Sequence, residues 1–326
     1  MNTVRTSQFA DLIAAIRTQI VGQDDLIENM LICLITGGHL LIEGLPGLAK
    51  TAAAKALAQG VEGNFHRIQF TPDLLPSDLI GTDIYIHDKA DFEFRPGPIF
   101  HNIILADEIN RAPSKVQSAL LEAMEERQVT IGKKTYKLPD LFMVLATQNP
   151  IEHEGTYNLP EAQLDRFLMN VIINYPDPRQ ELAIMELNTS LQRQQGQSSK
   201  KLSNLKVTAQ KEIFAARKAS LDIYVDEKLK NYLISLVSAT RKAVEYDADL
   251  AKWIRCGVSP RATLALLNCS RVLALINGDN FVTPDHIRKI LPNIFRHRLI
   301  LSYEAEAESI SKNDVINKLL ETVALP

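Results

Sequence analysis

Apolar residues gather in short runs, and the segments between those runs carry helical spacing. The runs at residues 40–43, 103–107, 142–147 and 171–175, and the alternating segment 67–70, read as strands. Strands that alternate with helical segments predict a parallel sheet covered by helices. The clearest helix carries Val116, Ala119, Leu120, Ala123 and Met124, an i, i+3, i+4, i+7, i+8 stripe. Ser114 with Gln117 reads as a capping box at its start. The fold class expected is α/β, with a five-stranded parallel sheet in an αβα layer arrangement, followed by a small all-α domain.

Two segments alternate with period two instead. In residues 82–94, Ile84 and Ile86 alternate with polar neighbours, as do Phe92 and Phe94 after a polar turn. In residues 129–138, Val129 and Ile131 face Tyr136 and Leu138 across Gly132, Lys133 and Lys134. Both read as surface hairpins, or as inserted loops that touch something. Residues 189–203 are rich in Gln, Ser and Lys, the composition of a flexible linker or exposed loop. Beyond them Leu229, Tyr232, Leu233, Leu236 and Val237 form an apolar face after an N-cap at Asp226. Ser259-Pro260 and Thr283-Pro284 are further helix starts, with a capping hydroxyl before a first-turn proline. Four or five helices are expected there. The division expected is an α/β domain over 1–190, a linker over 191–210 and a helical lid over 211–326.

A chain of 326 residues, 46% hydrophobic, can bury a large core in two domains. Its net charge of -3 argues against a dedicated nucleic-acid binder with a broad basic face. Cys33, Cys256 and Cys269 show neither disulfide nor metal spacing and read as small residues of a reduced compartment. The seven histidines are dispersed, which disfavours a zinc site. Asp11 and Arg17 interrupt the apolar positions near the N-terminus, unlike a signal peptide, and no apolar run has membrane-spanning length. A soluble, cytoplasmic protein is expected, without membrane insertion.

The chemistry starts at Gly44-Leu45-Pro46-Gly47-Leu48-Ala49-Lys50-Thr51, after the first strand and before an alanine-rich helix. That is the strand–loop–helix context of a P-loop. Its backbone N–H groups can curl around phosphate oxygens at a helix N-terminus. Lys50 would reach the β- and γ-phosphates of ATP, and Thr51 would offer its hydroxyl to Mg²⁺. Ala49 stands where the pattern has its second glycine, the smallest possible departure. The run 103–107 ends in Asp107 and Glu108. Ligands of open α/β sheets lie at the carboxyl ends of strands. Asp107 would hold Mg²⁺, and Glu108 would orient and deprotonate the attacking water. Without the P-loop upstream, this pair would be a strand followed by a polar turn.

Three more residues extend the set. Asn149 follows a neighbouring strand and could position water or sense the γ-phosphate; by itself it would be an Asn-Pro turn. Arg166 precedes the last strand, and Arg261 lies in the first turn of the helix begun by Ser259-Pro260. Arginine stabilises charge on transferring phosphoryl oxygens, although either residue alone could be a surface ion pair.

These stretches, together with residues 67–78, Gly97-Pro98-Ile99-Phe100, 106–113 and 161–167, resemble the MoxR family of AAA+ ATPases. The resemblance runs from about Ile20 to the C-terminus; residues 107–124 carry it most specifically. It implies an AAA+ domain and helical lid with nucleotide between them, Asn149 at the sensor-1 position, Arg261 at sensor 2 and Arg166 as an arginine finger acting in trans. It implies that Val21, Gly22 and Gln23 pack near the adenine, and that Arg261 contacts the γ-phosphate of ATP. The 82–94 hairpin resembles the helix-2 insert shared with the magnesium-chelatase ATPase subunit, and the 129–138 hairpin the one preceding sensor 1. Gln69 would restrain Glu108. Family members are similar to chaperones, which implies a self-assembled ring, most simply a hexamer, and a protein client, with von Willebrand factor A domain proteins as partners. The alternatives are a nucleotide-gated scaffold with negligible turnover, a DNA-acting motor supported only by Arg5, Lys133 and Lys134, and a metal-chelatase subunit.

Overall fold

The computed structural model describes residues 7–132, 134–149, 155–194 and 207–326. Helices α1 (Ser7–Arg17) and α2 (Asp24–Thr36) precede strand β1 (Leu40–Gly44), which runs into α3 (Lys50–Gln59). Strand β2 (Phe65–Gln69) and helix α4 (Pro76–Ile80) lead to a hairpin of β3 (Gly81–Ile86) and β4 (Asp91–Pro96). Then come β5 (Ile103–Asp107), α5 (Ser114–Glu126), a second hairpin of β6 (Gln128–Ile131) and β7 (Lys134–Lys137), and β8 (Met143–Gln148). Helix α6 (Glu161–Leu164), strand β9 (Met169–Ile173) and helix α7 (Pro178–Gln194) follow. The main sheet has the order β2-β5-β8-β1-β9, and every pairing in it is parallel. This is the expected five-stranded α/β fold followed by a helical lid.

Alternation along the strands divides the core. Leu40 and Ile42 point into one apolar cluster and Leu41 into the other. The second cluster gathers Ile104, Ala106, Val144 and Ala146 against Val116, Leu120 and Met124 of α5. Each fully buried Leu or Ile there contributes roughly 1.5–3 kcal/mol. The first cluster continues from the sheet through α2 into the lid, where it takes in Leu266, Leu273 and Ile290. Helix α2 is therefore buried along most of its length. Its carboxyl end is held by Arg217, which donates to the carbonyls of Ile35 (2.9 Å) and Leu34 (3.2 Å).

The lid has seven α-helices among the described residues, more than the four or five expected. They are α8 (Gln210–Leu221), α9 (Glu227–Arg241), α10 (Ala248–Trp253), α11 (Pro260–Asn277), α12 (Pro284–Phe295), α13 (Tyr303–Ala307) and α14 (Lys312–Thr322). With six and five residues, α10 and α13 are too short to display an apolar period. A small ribbon of β10 (Ile254–Cys256) and β11 (Ile300–Leu301) joins them. The expected caps form: Asp226 accepts from the Lys228 N–H at 2.9 Å, Ser259 from Arg261 at 3.2 Å and Thr283 from His286 at 3.4 Å.

Two local expectations need correction. Ser114 is the first residue of α5 and makes no cap; Gln117 instead donates to the carbonyls of Ile109, Ala112 and Tyr157, tying down the chain after the acid pair. Residues 189–194, expected in a flexible stretch, continue α7, because their Leu, Gln and Arg residues are good helix formers; 195–206 lie outside the described residues.

Both hairpins form. In the first, Tyr85 pairs with Phe92 and Asp83 with Phe94, so its aromatic side chains share one face. In the second, Val129 faces Tyr136 as expected, but Ile131 faces Lys134. The ring of Phe94 stacks on that of Tyr136, with centroids 4.1 Å apart. Lys133 and Arg5 lie outside the described residues.

Candidate functional site

The turn after β1 has Gly47 at φ +84°, where an added Cβ would meet nothing within 4 Å. Ala49 adopts φ 57°, ψ 18°. This left-handed conformation explains why the general pattern has glycine there: alanine is strained by roughly 1–2 kcal/mol. Helix α3 begins at the next residue, so its first N–H groups face the turn. The Lys50 ammonium folds back and donates to the Gly44 carbonyl at 2.6 Å.

The register β2–β5–β8 brings a polar group to the same edge. Asp107 is paired with Gln69 on β2, and Ala106 with Ala146 on β8. Buried Asp107 accepts from the Thr147 hydroxyl at 2.6 Å and from the Thr51 hydroxyl at 3.3 Å. Thr147 in turn accepts from the Glu108 N–H at 2.9 Å. Glu108 sits at φ 57°, ψ 52°, a second strained residue, which turns its carboxylate away from the strand direction. Its Oε2 accepts from Gln69 Nε2 at 2.7 Å and pairs with Arg111 at 3.0 Å. Pro46, Gly47, Leu48, Ala49, Lys50, Thr51, Ala52, Asp107, Glu108 and Asn149 line one cleft of about 390 Å³.

The cleft combines a backbone anion cradle, an ammonium, a hydroxyl and two carboxylates. Its hydroxyl and carboxylate oxygens, without thiol or imidazole among the lining residues, suit a hard divalent cation such as Mg²⁺. The arrangement can therefore take a metal-bound polyphosphate, with an acid beside it to accept a proton. Thr147, Arg67 and Arg111 belong to the same network and were not singled out from sequence. A threonine one residue beyond a buried strand pairing looks ordinary until the register is known.

The two arginines lie elsewhere. Pairing of Leu40 with Met169 and of Gly44 with Ile173 shows that Arg166, just before β9, sits at the amino end of the strands. The P-loop sits at the carboxyl end, about 13 Å of strand away. Arg166 pairs with Glu125 at 3.0 Å, near the carboxyl end of α5. Arg261 pairs with the same carboxylate and approaches Asp165 at 3.9 Å. Arg261 was expected to contact the γ-phosphate of ATP. Instead the docking of α11 on Asp165 seats it beside Arg166, and neither arginine lines the P-loop cleft. Val21, Gly22 and Gln23 lie just before α2, with Gly22 (φ +76°) packed against the Gln180 side chain at the start of α7.

Comparison with known proteins agrees with this geometry. Residues 39–169 match the ATPase family associated with various cellular activities (AAA), and residues 248–319 match the AAA lid domain. Chaperone MoxR1 of Mycobacterium tuberculosis is 46% identical over a region covering 94% of this chain and 79% of its own length. The chain belongs to the MoxR family of AAA+ ATPases. Another MoxR relative, Protein MoxR of Paracoccus denitrificans, is 30% identical, with 98% of this chain and 97% of that protein covered. The family is related to the magnesium-chelatase 38 kDa subunit, which in Acidiphilium rubrum is 26% identical over 86% of this chain and 90% of its own. A crystal structure of an ATPase candidate from Cytophaga hutchinsonii superposes with a TM-score of 0.88 at 45% identity, covering 98% and 95% of the two chains. Membership of the MoxR family implies nucleotide binding. Among the described residues no helix is long and apolar enough to cross a membrane.

Proposed function

We propose that this protein hydrolyses ATP with Mg²⁺ at the interfaces of a homo-oligomeric ring, read as a hexamer, and uses the cycle to assemble or activate a client protein complex. One observation carries the reading. Lys50, Thr51, Asp107, Glu108 and Asn149 share a cleft at one end of the sheet, while Arg166 and Arg261 are gathered on Glu125 at the other. A chain so arranged is complete only when a neighbour presents its arginine edge to the cleft.

In this reading the N–H groups of residues 44–51 and the Lys50 ammonium hold the β- and γ-phosphates. Thr51 and Asp107 hold Mg²⁺, which supplies charge neutralisation on the phosphate oxygens. Glu108 takes the proton of the attacking water, and Asn149 orients that water. Arg166 and Arg261 of the neighbouring copy stabilise the charge developing on the transferring group. Val21, Gly22 and Gln23 border the adenine. Motion of the lid passes to the two hairpins and from them to a client, for which proteins with von Willebrand factor A domains are the class that family resemblance supports.

ATP turnover measured against protein concentration tests this. Turnover per chain is expected to climb steeply as the ring assembles; a rate per chain independent of concentration would refute an interfacial site. A nucleotide-gated scaffold with little turnover is favoured by one detail, the hold of Gln69 and Arg111 on Glu108. Phosphate release that stays negligible with and without client would select it.

A further inference from the structure

Arg67 lies two residues before Gln69 on β2, so the two side chains leave the same face of that strand. Its guanidinium donates from Nε to Asp107 Oδ2 at 2.9 Å, and its terminal nitrogen lies 2.8 Å from the same oxygen. That oxygen is also the one the Thr51 hydroxyl reaches. The terminal nitrogen of Arg67 further donates to Gln69 Oε1 at 2.7 Å, and Gln69 Nε2 donates to Glu108 Oε2 at 2.7 Å. The chain of contacts is Asp107, Arg67, Gln69, Glu108. It has only one polarity. Arginine can only donate, so the amide oxygen of Gln69 must face Arg67 and its NH₂ must face Glu108.

We propose that Arg67 is a stand-in cation. It occupies the electrostatic place of the metal on Asp107 and, through Gln69, keeps Glu108 turned aside until a metal-bound nucleotide evicts it. The inference rests on the ATPase reading above and assigns a positioning residue within it. A divalent cation between Thr51 and Asp107 and the guanidinium on Asp107 Oδ2 would repel at close range, in a site where Asp107 is only 10% exposed and water screens poorly. Loss of Arg67 from Asp107 also removes the donor that fixes the Gln69 amide. The bond from Gln69 to Glu108 then loses its support. Metal arrival and loss of the Gln69 restraint thus become one event, leaving Arg111 as the remaining partner of Glu108, and both restraints persist in a chain holding nucleotide without metal.

The Arg67 side chain is 45% exposed, so its substitution leaves the core intact. The experiment uses the full chain as wild type, Arg67→Gln and Arg67→Lys. Binding of a fluorescent ATP analogue is measured first in EDTA and then along a Mg²⁺ titration. In Arg67→Gln the half-saturating Mg²⁺ concentration is expected to fall about tenfold, with metal-free nucleotide affinity unchanged within about twofold. Arg67→Lys, which keeps the charge, is expected to titrate close to wild type. An unshifted or raised Mg²⁺ midpoint in Arg67→Gln overturns the proposal. So does a large loss of metal-free affinity, which would make Arg67 a phosphate ligand. A wild-type chain that binds no nucleotide overturns the ATPase reading itself; a wild type that binds normally beside an unshifted Arg67→Gln overturns only the role of Arg67.

Discussion

Arg298 of the lid and Asp165 of the α/β domain form an ion pair of 2.7 Å, and the Arg298 side chain is only 3% exposed. The same guanidinium donates to the carbonyls of Phe167 at 2.7 Å and Leu168 at 3.2 Å. Asp165 also accepts from the Ser259 hydroxyl at 2.8 Å, one residue before α11. Asp165 therefore fixes both Arg166, its neighbour in sequence, and the helix start that carries Arg261. Asp165→Asn leaves a buried guanidinium without its counter-charge, and is expected to cost about 3–5 kcal/mol of stability. Urea denaturation measures this; a loss under about 1 kcal/mol would show that the pair does not clamp the lid.

Lys50→Ala and Glu108→Gln separate binding from chemistry. Lys50→Ala is expected to lose ATP binding by equilibrium titration. Glu108→Gln is expected to bind ATP as wild type does and to hydrolyse it at least about a hundredfold more slowly. Normal turnover in Glu108→Gln removes that residue as the base.

Mixed rings test the arginine edge. Arg166→Ala and Arg261→Ala are each expected to bind ATP and to lose turnover, by about 10³-fold or more for Arg166. Each is expected to regain activity when mixed with Lys50→Ala subunits, which are inactive themselves but carry both arginines. If Arg261→Ala is not rescued while Arg166→Ala is, Arg261 acts on its own chain despite its place beside Glu125.

Acid stability has a definite sign. His39 is buried; its Nδ1 accepts from the Val144 N–H at 3.0 Å, and Nε2 lies 3.2 Å from the Met124 carbonyl, so the neutral ring is the one that fits. Burial, with Arg127 adding to it, lowers its pKa from 6.5 to about 3. Burial pushes His297 the same way. The unfolded chain then binds protons that the folded chain does not, so stability is complete above pH 6.5 and falls as the pH drops towards 3. His39 contributes about 1.4 kcal/mol per pH unit in that window, and His297 acts in the same direction. Unfolding free energies at pH 7 and pH 5 test this, and an unchanged or higher value at pH 5 contradicts it.

The five strands were legible in the sequence because each is a short local pattern, a continuous apolar run in four and an alternation in β2. The P-loop was legible because consecutive residues form it. The acid pair was legible because it ends such a run. The links of Thr147 and Arg67 to Asp107, and of Arg298 to Asp165, were not, because strand register and lid docking create them from residues 40, 40 and 133 positions apart. The seat of Arg261 beside Arg166 was not legible for the same reason. Its helix start was read correctly, but where that helix docks depends on Ser259 and Arg298 meeting Asp165.

The stack of Phe94 on Tyr136 makes the two hairpins a single tool with a shared pivot. Displacing either hairpin would break a ring contact that holds the other, so the two are mechanically coupled through one aromatic pair.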